Sequence, residues 1–104
     1  MQYSELAKIV HGKLIGYDGE FNNISIDSRA VQSGDCFIAI KGDVFDGHDF
    51  IADVAKKNVA VVIVDRDVDI HTPVIKVRDT RQALKDMAHF YRENTCIPVA
   101  AITG

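Results

Sequence analysis

Apolar residues recur along this chain in short groups whose spacing shifts between the period of a helix and that of a strand. Leu6, Ile9 and Val10 share one face of a short helix that Ser4 caps and Gly12 ends. Lys13 to Tyr17 reads as a strand, Asp18-Gly19 as a hairpin turn, and Asn23 to Asp27 as a second strand with Ile24 and Ile26 on one face. After a turn at Ser33-Gly34-Asp35 comes Cys36-Phe37-Ile38-Ala39-Ile40, an unbroken apolar run of the kind found in strands covered on both faces.

The second half alternates more regularly. A polar loop after Lys41-Gly42 leads to a helix beginning near His48 or Asp49, with Ile51, Val54 and Ala55 at i, i+3, i+4 and Asn58 as its stop. Ala60 to Asp65, rich in Val and Ile, predicts a strand. Asp65 to His71 is a charged turn, and Pro73 to Val77 another strand. Asp79 and Gln82 have the spacing of a capping box, followed by the stripe Leu84, Met87, Ala88 and Tyr91 and a stop at Asn94. Pro98 to Ile102 reads as a last buried strand running into Thr103-Gly104. Strands alternating with helices predict an α/β fold, a small mixed-sheet sandwich with flanking helices; the early hairpin argues against a purely doubly wound sheet.

Composition narrows the function more than the fold. With 104 residues, 47% hydrophobic and 26% charged, the chain can bury one core and is too short for two. A net charge of −3 gives no general attraction to nucleic acid or acidic membranes, so an anionic ligand has to be held by local donors. No basic, then apolar, leader opens the sequence, and the run Val59 to Val64 is far short of a membrane span. Cys36 and Cys96 stand apart without ligand spacing, as buried reduced thiols of a cytoplasmic protein do.

Two stretches concentrate the candidate chemistry, Asp27-Ser28-Arg29 and Lys41 to Phe50, each after a strand. Strand ends of open α/β sheets are favoured ligand sites. Ser28 offers a hydroxyl and close backbone approach. Gly42 and Gly47 permit tight turns and positive φ that present backbone N–H groups to a diphosphate or a uracil carbonyl, and Phe45 offers a ring to a flat base. The same residues also suit turns, surface ion pairs and core plugs, and spacing alone does not separate the two readings. Asp46, His48 and Asp49 have poor spacing for one metal ion, and no metal is expected. Asp27, Asp65 and Lys76 fit a phosphoreceiver only loosely, and no catalytic triad can be assigned.

Taken in order, Asp27-Ser28-Arg29, Gly34-Asp35-Cys36-Phe37-Ile38-Ala39-Ile40-Lys41-Gly42 and Phe45-Asp46-Gly47-His48-Asp49-Phe50 resemble the N-terminal domain of the Mur ligases. Val77-Arg78-Asp79-Thr80-Arg81-Gln82-Ala83-Leu84 is similar to that family's V-x-D-T-R-x-A-L helix start, and Val99 to Gly104 to the strand entering its ATP loop. The resemblance implies a Mur ligase N-terminal, UDP-binding type of fold: residues 1–97 as the UDP-muramoyl-peptide-binding domain and 98–104 as the first strand of an ATP-binding central domain. It implies that Ile26, Ser28, Asp43, Val44, Phe45 and Asp46 hold the UDP moiety, that Gly42 and Gly47 shape the loop, and that Thr103 and Gly104 start the ATP loop. It implies no catalytic residue and no metal ligand in this stretch, with ATP and Mg²⁺ acting in a longer, cytoplasmic, monomeric enzyme of peptidoglycan synthesis. The Lys-Gly and Phe-Asp-Gly-His-Asp-Phe pair resembles members that join D-alanyl-D-alanine to UDP-N-acetylmuramoyl-tripeptide through an acyl phosphate, more than those adding the third stem residue. The sequence lacks Gly-Lys-Thr/Ser after Thr103-Gly104, so these residues are expected to bind without catalysing. A free-standing binding module is the alternative.

Overall fold

The computed structural model describes residues 1–42 and 46–93. The expectations for Asp43, Val44, Phe45, Asn94, Cys96, the strand 98–102, Thr103, Gly104 and a boundary at 97 lie outside the described residues.

Five strands form one mixed sheet: β1 (Lys13–Ile15), β2 (Ile24–Ser25), β3 (Cys36–Ile38), β4 (Val61–Val64) and β5 (Val74–Lys76), in the order β1-β5-β4-β3-β2. The pairs β2–β3, β3–β4 and β4–β5 are parallel, and β1 runs antiparallel to β5, with Lys13 opposite Lys76 and Ile15 opposite Val74. Strand alternation divides the apolar residues between two cores. Cys36, Ile38, Val61, Ile63 and Ile75 face helices α1 (Tyr3–Ile9) and α3 (Thr80–Glu93). Phe37, Ala39, Val62, Val64 and Val74 face the opposite side, under helix α2 (Ile51–Ala55). The apolar run from Cys36 is therefore covered on both faces, as its composition predicts, and all of Cys36 to Ala39 is inaccessible to solvent. Among the described residues no helix is long and apolar enough to cross a membrane.

Three local expectations are corrected. Asp18-Gly19 does not turn a hairpin, because β1 and β2 lie at opposite edges of the sheet. The Asp18 carboxylate instead accepts the N–H of Ser4 at 3.1 Å and the Ser4 hydroxyl at 2.7 Å. Residues around Gly19 run beside the chain start, where Tyr3 N–H donates to Gly19 and Gln2 bridges Glu20. Ser4 is thus inside α1 rather than its cap, and a carboxylate fourteen residues away satisfies the orphan N–H. At the other end of α1 the left-handed residue is His11, at φ 56°. Gly12 is small because a Cβ there would lie 2.7 Å from Ile75 and 2.8 Å from Val77.

Asp79 does cap α3, accepting N–H groups of Arg81 and Gln82, but Gln82 turns to Asp86 rather than back to the cap. Of the expected α3 stripe, Met87 and Tyr91 are buried, while Leu84 and Ala88 are half-buried and Thr80 and Ala83 complete the buried line. Asn58 ends the α2 region with φ 59°, the left-handed conformation that Asn tolerates.

Candidate functional site

Because β2 to β5 are mutually parallel, the segments leaving their C-terminal ends emerge along one edge of the sheet. Ser28 follows β2, Gly42 follows β3, Asp65 follows β4, and Asp79 follows β5 and opens α3. A cleft of about 310 Å³ lies at this edge, lined by Lys41, Gly42, Asp65, Asp79, Thr80 and Arg81. Two cations face two carboxylates there. Arg81 Nε donates to the Lys41 carbonyl at 3.0 Å, so the start of α3 is tied to the end of the β3 segment.

The loop after β3 is closed at its base. Lys41 and Asp46 form an antiparallel bridge, and Gly47 N–H donates to the Ile40 carbonyl at 2.8 Å. Gly47 is not in the left-handed region; it is required by proximity, since a Cβ would lie 2.9 Å from Ile40 N and 3.0 Å from Ala39 Cα. The positive-φ role expected of it is therefore replaced by a close-approach role. Asp46 then starts a 3-10 turn, Gly47–Phe50, whose His48 N–H its carboxylate accepts at 3.0 Å.

The His48 ring, only 3% exposed, reaches both sides of the site edge. Nδ1 lies 2.6 Å from Asp46 Oδ1, and Nε2 accepts the backbone N–H of Asp65 at 3.1 Å. Arg66 completes the group, 3.2 Å from Asp46 Oδ2 and 2.8 Å from Asp65 Oδ1. Burial opposes ionisation of Asp46, but hydrogen bonds from the His48 N–H and ring, with the charge of Arg66, outweigh it and hold the carboxyl below the usual carboxylate range. A carboxyl depressed in the folded chain stabilises it fully above the unfolded value, and that stabilisation is lost as pH falls through the folded value. Urea midpoints are therefore expected to be level near neutrality and to fall below about pH 4. Asp46→Asn should flatten that fall, and an equally steep acid slope in the variant would refute the assignment.

Ser28 sits in a separately braced turn. The Asp27 carboxylate accepts Arg29 N–H at 2.9 Å, and Lys57 Nζ donates to the Ser28 carbonyl at 2.7 Å. Ser28 and Ile26 are half-buried, and neither lines the cleft beside Gly42. Of the expected site residues, the structure thus brings Gly42, Asp46 and Gly47 to one place and sets Ile26 and Ser28 on the neighbouring strand's exit.

Asp65, Arg66, Asp79, Thr80 and Arg81 join the site without having been singled out as ligand-facing. Part of the signal was present: Asp65 and Arg66 directly follow β4, while Asp79, Thr80 and Arg81 stand at the start of α3. Among the described residues no three His, Cys, Asp or Glu side chains are placed to hold a metal ion. Asp65 is paired with Arg66, and Asp27 follows β2, with β3 and β4 lying between it and the β5 that carries Lys76, so the three residues do not come together as a phosphoreceiver site. Burial, then the charge of Asp35, pushes the Cys36 thiol far up, so it is no nucleophile.

A family model described as Mur ligase family, catalytic domain, matches residues 20–92. The UDP-N-acetylmuramoyl-tripeptide–D-alanyl-D-alanine ligase of Escherichia coli (strain K12) is 39% identical over 102 residues, which are 97% of this chain and 22% of the relative. The UDP-N-acetylmuramoyl-L-alanyl-D-glutamate–2,6-diaminopimelate ligase of Clostridium perfringens is 40% identical over 91 residues, 84% of this chain and 18% of the relative. A crystal structure of MurF from Acinetobacter baumannii superposes with a TM-score of 0.79 at 33% identity, covering 89% of this chain and 21% of that one. A MurF ligase from Thermotoga maritima in complex with ADP gives 0.64 at 29% identity, over 70% of this chain and 17% of that one. The chain spans about a fifth of the length of the curated relatives it matches.

Proposed function

We propose, from the premise that this chain belongs to the Mur ligase family, that it holds the UDP end of UDP-N-acetylmuramoyl-tripeptide for a ligase of peptidoglycan synthesis. The observation that carries this reading is the placement of the Ser28 turn and the Gly42–Gly47 loop on the exits of two adjacent parallel strands. The carboxyl ends of parallel strands are the side on which open α/β sheets take their ligands. Ile26 and Ser28 line the uridine pocket, and Asp43, Val44, Phe45 and Asp46 belong to the loop that embraces the UDP moiety, with Gly42 and Gly47 shaping that loop. ATP and Mg²⁺ serve the ligation step through the central domain of a longer enzyme, whose first strand is 98–104 and whose ATP loop starts at Thr103-Gly104, and residues 1–97 bind without ligating.

The D-alanyl-D-alanine-adding reading is supported by the relatives of that kind, which align over 97% and 100% of the chain. The diaminopimelate-adding relatives align over 84% and 78–85% of it, which supports the second reading, a third-residue-adding ligase. Both assign the same task to this part of the molecule. Ligation by the parent enzyme with D-alanyl-D-alanine against a diamino acid separates them.

Titration of the isotope-labelled chain with UDP-N-acetylmuramoyl-tripeptide is expected to shift the amides of Ile26, Ser28, Gly42, Asp46 and Gly47, while ATP shifts none. Ser28→Ala should weaken binding by about threefold to tenfold, the range for one neutral hydrogen bond. Absence of shifts at millimolar ligand would refute the reading.

A further inference from the structure

We propose that His48 is a positioning residue for the nucleotide-sugar site, holding the closing end of the Gly42–Gly47 loop against the exit of β4 through Asp46, Asp65 and Arg66. The inference deepens the reading above and rests on it for the identity of the ligand, a nucleoside diphosphate sugar.

A histidine ring with 3% exposure has to satisfy both nitrogens. This one does so across two elements, with Asp46 on the loop side and Asp65 on the strand side. A backbone N–H can only donate, so Nε2 is the acceptor and Nδ1 carries the proton toward Asp46. It links the residue that closes the loop, Asp46 bridged to Lys41, to a wall of the cleft, Asp65. Arg66 lies on both carboxylates, so the two acids are engaged with cationic and N–H donors rather than left to repel an arriving diphosphate.

Swapping His48 for the two carboxamides separates the halves of the link. His48→Gln keeps an acceptor near the Nε2 place and loses the donor to Asp46; His48→Asn keeps a donor at the Nδ1 place. In the 104-residue chain without ligand, nitrogen NMR of the ring is expected to show the Nδ1–H tautomer with a hydrogen-bonded, slowly exchanging proton. His48→Gln should speed amide exchange at Asp46 and Gly47 by about tenfold or more while amides of β3 and β4 stay protected. It should also weaken UDP-N-acetylmuramoyl-tripeptide by about tenfold, and His48→Asn, which keeps the Asp46 half of the link but not the Asp65 half, should weaken it as well. Should His48→Gln fail to fold, Asp46→Asn gives the same readouts from the other partner, with weaker binding expected. Binding unchanged in the variants overturns the proposal alone, as does the Nε2–H tautomer. No binding by the unaltered chain overturns the ligand reading and the proposal together, while the exchange data still show whether the link holds the loop.

Discussion

Replacing Phe37 with alanine is expected to remove about 3–5 kcal/mol of stability, the range for deleting a large buried aromatic. Phe37 is fully buried and is the largest side chain of the core beneath α2. That core is the thinner of the two. Its helical cover is five residues long and is anchored by Ile51 and Val54, whereas the opposite core has α1 and the fourteen-residue α3. A short helix bound by two side chains has little means of settling into the void without losing its own contacts, so the cavity should persist. A domain of this size holds about 5–15 kcal/mol in total, so the loss takes a large share of it. The thermal midpoint should fall by on the order of 20 °C. A drop of less than about 1 kcal/mol in urea unfolding would mean that α2 collapses onto the sheet after all.

Gly47→Ala is expected to cost about 2–3 kcal/mol and to weaken nucleotide-sugar binding more than any side-chain removal at the site. The added methyl meets backbone, not a flexible side chain: Ile40 N at 2.9 Å, Ala39 Cα at 3.0 Å and Ala39 C at 3.2 Å. Ala39 is fully buried and its N–H is bonded to the Ile63 carbonyl, so that backbone cannot retreat without opening the sheet. The loop must move instead, stretching the Gly47 to Ile40 hydrogen bond and the Lys41–Asp46 bridge together. Unfolding and ligand titration on the same variant check both halves. An alanine variant of ordinary stability and affinity would show that the loop has slack the close contacts deny.

The elements that could be read from the sequence are those with one dominant local cause. Four of the five strands carry their own apolar runs, and Asn58 and Asp79 end and start helices through backbone preferences that no distant partner has to supply. The hairpin at Asp18-Gly19 was misleading because the aspartate's carboxylate found better employment at the start of α1, a long-range choice invisible to a local turn rule. The stripe of α3 was read in part: Met87 and Tyr91 are buried as their spacing predicts, while Ala83 enters the core and Leu84 packs at its margin. At the site, the loop glycines and Ser28 were visible through their motifs. His48 was legible only as a helix start, since its partner Asp65 lies seventeen residues away and the parallel pairing of β3 and β4 joins them.

The antiparallel edge strand has a consequence for how the molecule is made. The parallel strands β2 to β5 are each paired with a neighbour in sequence, so they can zip together as the chain lengthens. The first strand has no such neighbour: Lys13 pairs with Lys76, so β1 joins the sheet only by closing a loop over the whole intervening chain. During synthesis, then, β1 is the last strand of the sheet to find its place, while helix α1 can already be tied to Asp18, Gly19 and Glu20 before β5 emerges.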